Sequence, residues 1–118
     1  MSDQTLTLTT HHHPAGVFVL TVSGELDHHT SPSFREALNE IALTPDTGLV
    51  LDLSGLTYCD STGITVLVTA YQRAQASGTQ LNVAGASTHL LRVFSIVGLD
   101  QVFTLKPTTE DAITALRT

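Results

Sequence analysis

Apolar positions along the 118-residue chain switch repeatedly between a period of two and a period of about 3.6, and each switch marks a change of element. Leu6 and Leu8 alternate with threonines, which predicts a first strand at a sheet edge. His11–Gly16 reads as a turn, broken by Pro14 and Gly16. Val17–Val22 is almost wholly apolar and predicts a central, buried strand that ends at Gly24. The period then lengthens. Ser31 and Pro32 read as the cap and first residue of a helix whose inner face is Phe34, Ala37, Leu38, Ile41 and Ala42. Thr44-Pro45-Asp46 and Gly48 close it, and Leu49–Leu53 returns to a strand followed by a loop over Ser54–Cys59.

A second helix is predicted from about Ser61 to Ala76, with Ile64, Leu67, Val68, Tyr71 and Ala74 on one face and Thr65, Thr69, Gln72 and Arg73 on the other. Its β-branched residues keep a strand open as a local alternative. The length of the pattern and Gly78 at a C-terminal cap position favour the helix. Gln80–Ala84 predicts a fourth strand. Ser87 caps a third helix with Leu90, Leu91, Val93, Phe94 and Val97 inward, stopped by Gly98. Val102–Leu105 reads as a fifth strand. Thr109-Glu110-Asp111 opens a last helix, its acids placed as the helix dipole favours and Ile113 and Leu116 facing inward.

The resulting order, β-β-α-β-α-β-α-β-α, predicts an α/β fold: a mixed, mostly parallel sheet of about five strands with helices packed on it. One domain is expected over residues 1–118, with its core from about residue 5 to 117. In such sheets the functional loops lie beyond the carboxyl ends of the strands. Here these are Gly24–Thr30 and Ser54–Asp60.

Composition narrows the function classes. A 42% apolar and 14% charged chain can build a core. Its net charge of -6, with 5 basic residues scattered along it, argues against direct nucleic-acid binding. The single cysteine, Cys59, permits no internal disulfide and suits a reducing compartment. Met1–Thr10 is polar and no window approaches the ~20 apolar residues of a membrane span, so a cytoplasmic protein with neither signal peptide nor membrane contact is expected.

The candidate chemistry lies at Asp60-Ser61-Thr62-Gly63, between a strand-loop stretch and a helix. A hydroxyl there stands at a helix N-terminus, where unpaired N–H groups and the positive dipole end tolerate a phosphate. Two stretches, Gly24-Glu25-Leu26-Asp27-His28-His29-Thr30 and Leu53-Ser54 through Asp60-Ser61-Thr62-Gly63-Ile64, resemble the STAS family. Within it the chain is most like the small bacterial anti-sigma-factor antagonists of sporulation and general stress. The order of elements agrees from about Leu6 to Leu116.

The resemblance implies a partner-switching protein. Its unphosphorylated form would bind an anti-sigma factor that is also a serine kinase, releasing a sigma factor, and a serine phosphatase would reset it. The serine after the aspartate in D-S-[ST]-G is the target, which is Ser61. Asp27, Asp60, Ser61, Thr62 and Gly63 would meet the partner, with no catalysis and no cofactor of the chain's own. A monomer is the expectation the resemblance carries.

Simpler readings stand beside these. Ser61 and Asp60 are both good helix caps, Thr62 can bond near the helix start, Asp27 can be a plain loop carboxylate, and Gly63 allows close packing or a partner's approach. His11-His12-His13 with His28-His29 raise zinc, yet adjacent histidines cannot all face one ion and no helical i, i+4 pair accompanies them, so no metal is expected. Cys59 reads as a small buried hydrophobe. Arg92 and its helix could add to a docking face. A hydrolase with Ser61 as nucleophile lacks the G-x-S-x-G elbow, because Cys59 occupies the first glycine position. The remaining alternative is a STAS subunit of a larger assembly, either a stress-signalling complex or a lipid transporter.

Overall fold

The computed structural model describes residues 6–14 and 16–116. The expected core limits, Thr5 and Arg117, lie outside the described residues. Among the described residues six strands run in chain order as β1 (Leu6–His13), β2 (Val17–Leu26), β3 (Gly48–Asp52), β4 (Leu56–Cys59), β5 (Gln80–Ala84) and β6 (Thr104–Lys106). The helices are α1 (Ser31–Asn39), α2 (Ser61–Ala76), α3 (Thr88–Val97) and α4 (Thr109–Leu116), with a short 3-10 turn over Leu99–Gln101. Neighbouring strands follow the order β1-β2-β3-β5-β6. β1 is antiparallel to β2 and every other pairing is parallel, so the mixed, mostly parallel sheet expected from the sequence is present with one strand more.

Alternation along the strands divides the core into two layers. Leu20 and Val22 of β2, Leu49 and Leu51 of β3, and Leu81 and Val83 of β5 face Phe34 and Leu38 of α1, Val66 and Leu67 of α2, and Leu90 and Phe94 of α3. The intervening Val17, Val19, Val50 and Ala84 face Ala112 and Ile113 of α4. Phe103 seals the first layer, edge-on to Tyr71 at 5.9 Å and tilted against Phe94 at 5.6 Å.

The sixth strand corrects the sequence reading. Residues 56–59 form β4, where a loop was expected, because β2 does not stop at Gly24. Gly24 has φ +103° and the pairing register shifts between Gly24 and Glu25, so the glycine bends the strand and lets it run on to Leu26. The prolonged end offers Glu25 and Leu26 to Tyr58 and Cys59. His11–His13 likewise belong to β1 and not to the turn, their backbone paired with Val17–Val19 and the His12 ring stacked on Phe18 at 4.6 Å.

Helix faces needed smaller corrections. The residue that caps α1 is Thr30, not Ser31; Ser31 is the first helical residue, is buried, and gives its hydroxyl to the Asp27 carbonyl at 2.6 Å. α1 ends at Asn39, so Ile41 is buried beyond it and Ala42 is exposed. In α2 the buried residues are Gly63, Val66, Leu67, Ala70 and Ala74, which turns the face away from Ile64, Val68 and Tyr71, all half-buried. Ser87 caps α3 by accepting from the Leu90 N–H at 3.1 Å, and left-handed Gly98 stops it, as the sequence suggests. Leu91 and Val97 are exposed there, and only Leu90 and Phe94 are fully buried. The last strand begins at Thr104, with Val102 exposed. Leu116 is half-buried against the α4 layer.

Candidate functional site

β4 delivers the chain to the start of α2. The Asp60 N–H bonds the Leu26 carbonyl at 3.3 Å, which ties the end of β4 to the end of β2. Asp60 then takes the extended backbone of an N-cap, and its Oδ1 accepts from the Gly63 N–H at 2.8 Å. Its carbonyl accepts from Ile64 N–H at 2.9 Å, the first helical bond. Capping therefore falls to Asp60, and Ser61 stands one residue inside, at the first helical position. Ser61 is exposed, and its hydroxyl makes no hydrogen bond among the described residues. The N–H groups of Ser61 and Thr62 have no carbonyl within the helix to bond. No acidic residue occupies the first turn. Thr62 is half-buried, and its side chain forms no hydrogen bond among the described residues; the bond expected near the helix start is absent there.

Gly63 is where α2 meets the sheet. A Cβ built on it would lie 2.5 Å from the Leu26 carbonyl oxygen and 2.7 Å from Cys59 Sγ. Leu26 thus touches both Asp60 and Gly63, and Asp27 follows it directly in the chain, so the two sequence stretches are joined at one end of the sheet. Asp27 Oδ1 accepts from the N–H of His29 at 2.9 Å and of Thr30 at 3.1 Å, and lies 3.2 Å from Thr30 Oγ1. Thr30 Oγ1 accepts from the Asp27 N–H at 2.9 Å and lies 2.8 Å from the Glu25 carbonyl, to which it donates. One carboxylate and one hydroxyl so brace the whole loop. Sequence reasoning passed over Thr30, although an aspartate followed three residues later by threonine is a readable signal for such a turn.

The bond from the Thr30 N–H, joined by that from the His29 N–H, holds the Asp27 carboxyl below its ordinary value of 3.8 against a smaller opposing effect of burial. A lowered folded pKa means the loop bracing is complete above the ordinary carboxylate range and is lost as pH falls through the folded value. The His29 and Thr30 amide resonances should therefore move together in acid with a midpoint below 3.8, and Asp27→Ala should remove that titration.

Residues 9–112 match the STAS domain. The chain belongs to the STAS family. It is 32% identical over 113 residues to the anti-sigma-F factor antagonist RsfB of Mycobacterium tuberculosis, covering 96% of this chain and 89% of that protein. With the anti-sigma-B factor antagonist of Listeria monocytogenes it is 35% identical over 85 residues, 72% of this chain and 75% of that one. The crystal structure of an anti-sigma factor antagonist from Mycobacterium paratuberculosis superposes with a TM-score of 0.85 at 32% identity, covering 96% of this chain and 95% of that one.

Other polar groups of this STAS domain stand apart from such a site. Among the described residues no three of His, Cys, Asp and Glu come together to hold a metal ion. His28 and His29 meet edge-on at 5.7 Å in the Asp27 loop, while His11–His13 lie along β1. No histidine hydrogen-bonds the Ser61 hydroxyl among the described residues. No described helix is long and apolar enough to cross a membrane. Tyr58 on β4, three residues before Ser61, is 52% exposed and was not singled out in the sequence.

The Cys59 thiol is pushed up to about 12, first by burial and then by the Asp60 charge beside it. Against an ordinary value of 9.0, it holds about a thousandfold less thiolate near pH 8. A disulfide reagent should thus label the native STAS domain far more slowly than the urea-unfolded chain. Equal rates would contradict the packing of Cys59 beneath α2.

Proposed function

We propose that this chain is an anti-sigma-factor antagonist whose unphosphorylated form binds an anti-sigma factor with serine-kinase activity and is switched off by phosphorylation of Ser61. The observation that carries the proposal is the exposed, unbonded Ser61 hydroxyl at the first position of α2, with capping delegated to Asp60. A phosphoryl group can be added without removing a bond the fold uses. The γ-phosphoryl of ATP would pass to Ser61 Oγ as the hydroxyl loses its proton and ADP departs. A serine phosphatase would hydrolyse the ester and reset the switch.

The relatives named as antagonists of anti-sigma factors support the partner class. Asp60, Ser61 and Thr62 present the docking surface, Asp27 organises the adjoining loop, and Gly63 holds the helix start at the height that exposes Ser61. A phosphate adds about -1.5 to -2 charges to a surface that already carries Asp27 and Asp60. Like charges brought together under a docked partner would drive it off. On this reading the chain is the substrate and the binding module, acts in the cytoplasm, contacts no nucleic acid directly, and takes no cofactor.

The test uses the complex purified from the protein's own cells. Adding MgATP should release the wild-type chain with one phosphate gained on Ser61, whereas Ser61→Ala should stay bound and unmodified. A wild-type complex that persists in MgATP without gaining phosphate would replace this reading with the assembly-subunit alternative.

A further inference from the structure

The two ends of the strand order β1-β2-β3-β5-β6 are built differently. β6, at one edge, has three residues, ends in Lys106 and runs into Pro107. A short strand, a lysine and a proline are the devices that keep an edge from pairing with another chain. β1, at the other edge, has eight residues and carries no Asp, Glu, Lys, Arg, Pro or Gly. Its register with β2 runs unbroken from Leu6 to His13, so no bulge turns the edge away. Among the described residues no other strand pairs with its outer side.

We propose that β1 is a self-association edge, on which a second copy of this chain pairs antiparallel to form one continuous sheet across a two-fold axis. The monomer implied by the family resemblance is then the dilute limit of a reversible dimer.

The strand's own geometry selects the register. The His13 carbonyl accepts from the Gly16 N–H at 3.0 Å and so points toward β2. Backbone direction alternates along a strand, so Thr7, Thr9 and His11 also turn their backbone groups to β2, and Leu6, Leu8, Thr10 and His12 turn theirs outward. A two-fold axis normal to the sheet keeps each face on its own side and pairs residues of like parity. Centring it on Thr9 sets Leu6 against His12 and Leu8 against Thr10, which uses every outward-facing residue from Leu6 to His12. Centring it on Thr10 would put Leu6 opposite Pro14, which has no N–H to give.

In the Thr9 register no like charges face each other, Thr9 meets Thr9 in a favourable threonine pair, and Thr7 meets His11. Leu6 and Leu8, packed against the first core layer, extend that layer to the partner's His12 and Thr10. A second copy is favoured over an unrelated extended segment because a two-fold axis on Thr9 pairs this uncharged strand with itself and uses each outward-facing backbone group from Leu6 to His12. Seven residues at about 3.4 Å each give a contact about 24 Å long, smaller than a standard interface, so the dimer is weak. A net charge of -6 on each copy opposes association, and added salt should tighten it by screening.

The experiment is sedimentation of the full chain from about 1 µM to about 1 mM, concentrations that bracket a weak dimer. The weight-average mass should rise from 12.6 kDa toward twice that value, and Thr9→Lys, which sets two like charges on the axis, should hold it at the lower value throughout. Thr9→Cys checks the register, because Cys59 is too unreactive to compete. Directly opposite residues of a non-hydrogen-bonded pair approach to about 4.5 Å between Cα atoms, within disulfide range. Mild oxidation should therefore give a covalent dimer with Thr9→Cys and little with Thr7→Cys, whose counterpart lies four residues away along the strand. A mass that stays at the monomer value up to the highest concentration, or equal cross-linking at positions 7 and 9, would overturn the proposal.

Discussion

Ser61→Asp should weaken binding to the anti-sigma partner about a hundredfold, or about 2.7 kcal/mol, while leaving the fold at least as stable as wild type. The two halves of this expectation come from different features. Stability is spared because Ser61 is exposed, its hydroxyl makes no hydrogen bond among the described residues, and Asp60 does the capping. A carboxylate in the first turn of α2, where no acid now stands, also interacts favourably with the helix dipole by about 0.3–1 kcal/mol. Binding is expected to fall because the new charge joins Asp60 and the Asp27 loop on the surface proposed to meet the partner. Ser61→Ala should bind as wild type. Calorimetric titration of each variant with the partner, beside thermal melts, separates the two effects. A variant that loses affinity and melts early in the same proportion would point to damage and not to charge.

Gly63→Ala should destabilise the domain by about 2 kcal/mol, lowering Tm by about 8 °C. Alanine is the better helix former by about 1 kcal/mol, so propensity alone predicts the opposite sign. The contacts decide against propensity. The added methyl would lie 2.5 Å from the Leu26 carbonyl oxygen, a backbone atom already bonded to the Asp60 N–H, and neither can yield without parting β2 from the start of α2. The second obstacle, Cys59 Sγ at 2.7 Å, is a side-chain atom. Adding Cys59→Ala should therefore recover only part of the loss. Because the same displacement would shift Ser61, Gly63→Ala should also slow its phosphorylation. A Gly63→Ala domain more stable than wild type would mean that helix and sheet are not in close contact there.

What was legible in the sequence were features fixed by local chemistry. Ser87 and Gly98 bound α3 because a hydroxyl cap and a left-handed glycine act within a few residues. The apolar run of Val17–Val22 could only be a buried strand. What stayed hidden depends on contacts between distant segments. β4 is short and its Thr57 and Tyr58 are exposed, so it has no apolar signature; it exists because β2 runs past Gly24 and the Gly24 carbonyl accepts from the Thr57 hydroxyl at 3.0 Å. The rotation of α2 is not legible in the sequence because Ile64, Val66, Leu67, Val68 and Ala70 surround the helix with apolar groups. Contact of Gly63 with Leu26 turns Val66 and Ala70 inward.

At the site, the motif marked Ser61 and its neighbours but not their division of labour. Both Asp60 and Ser61 can cap a helix, and the extended backbone of Asp60 assigns that task to the aspartate. Asp27 and Asp60 are far apart in sequence, and the β2–β4 pairing brings their loops to one end of the sheet. The brace between Asp27 and Thr30 was readable in principle, since it acts across three residues.

The most direct test of the central claim is peptide mapping by mass spectrometry of this protein from its own cells, in growth and under stress. The account predicts a single phosphate, on Ser61, whose occupancy changes between the two conditions. A chain that carries no phosphate in either condition, or carries it at another residue while Ser61 stays unmodified, would contradict it.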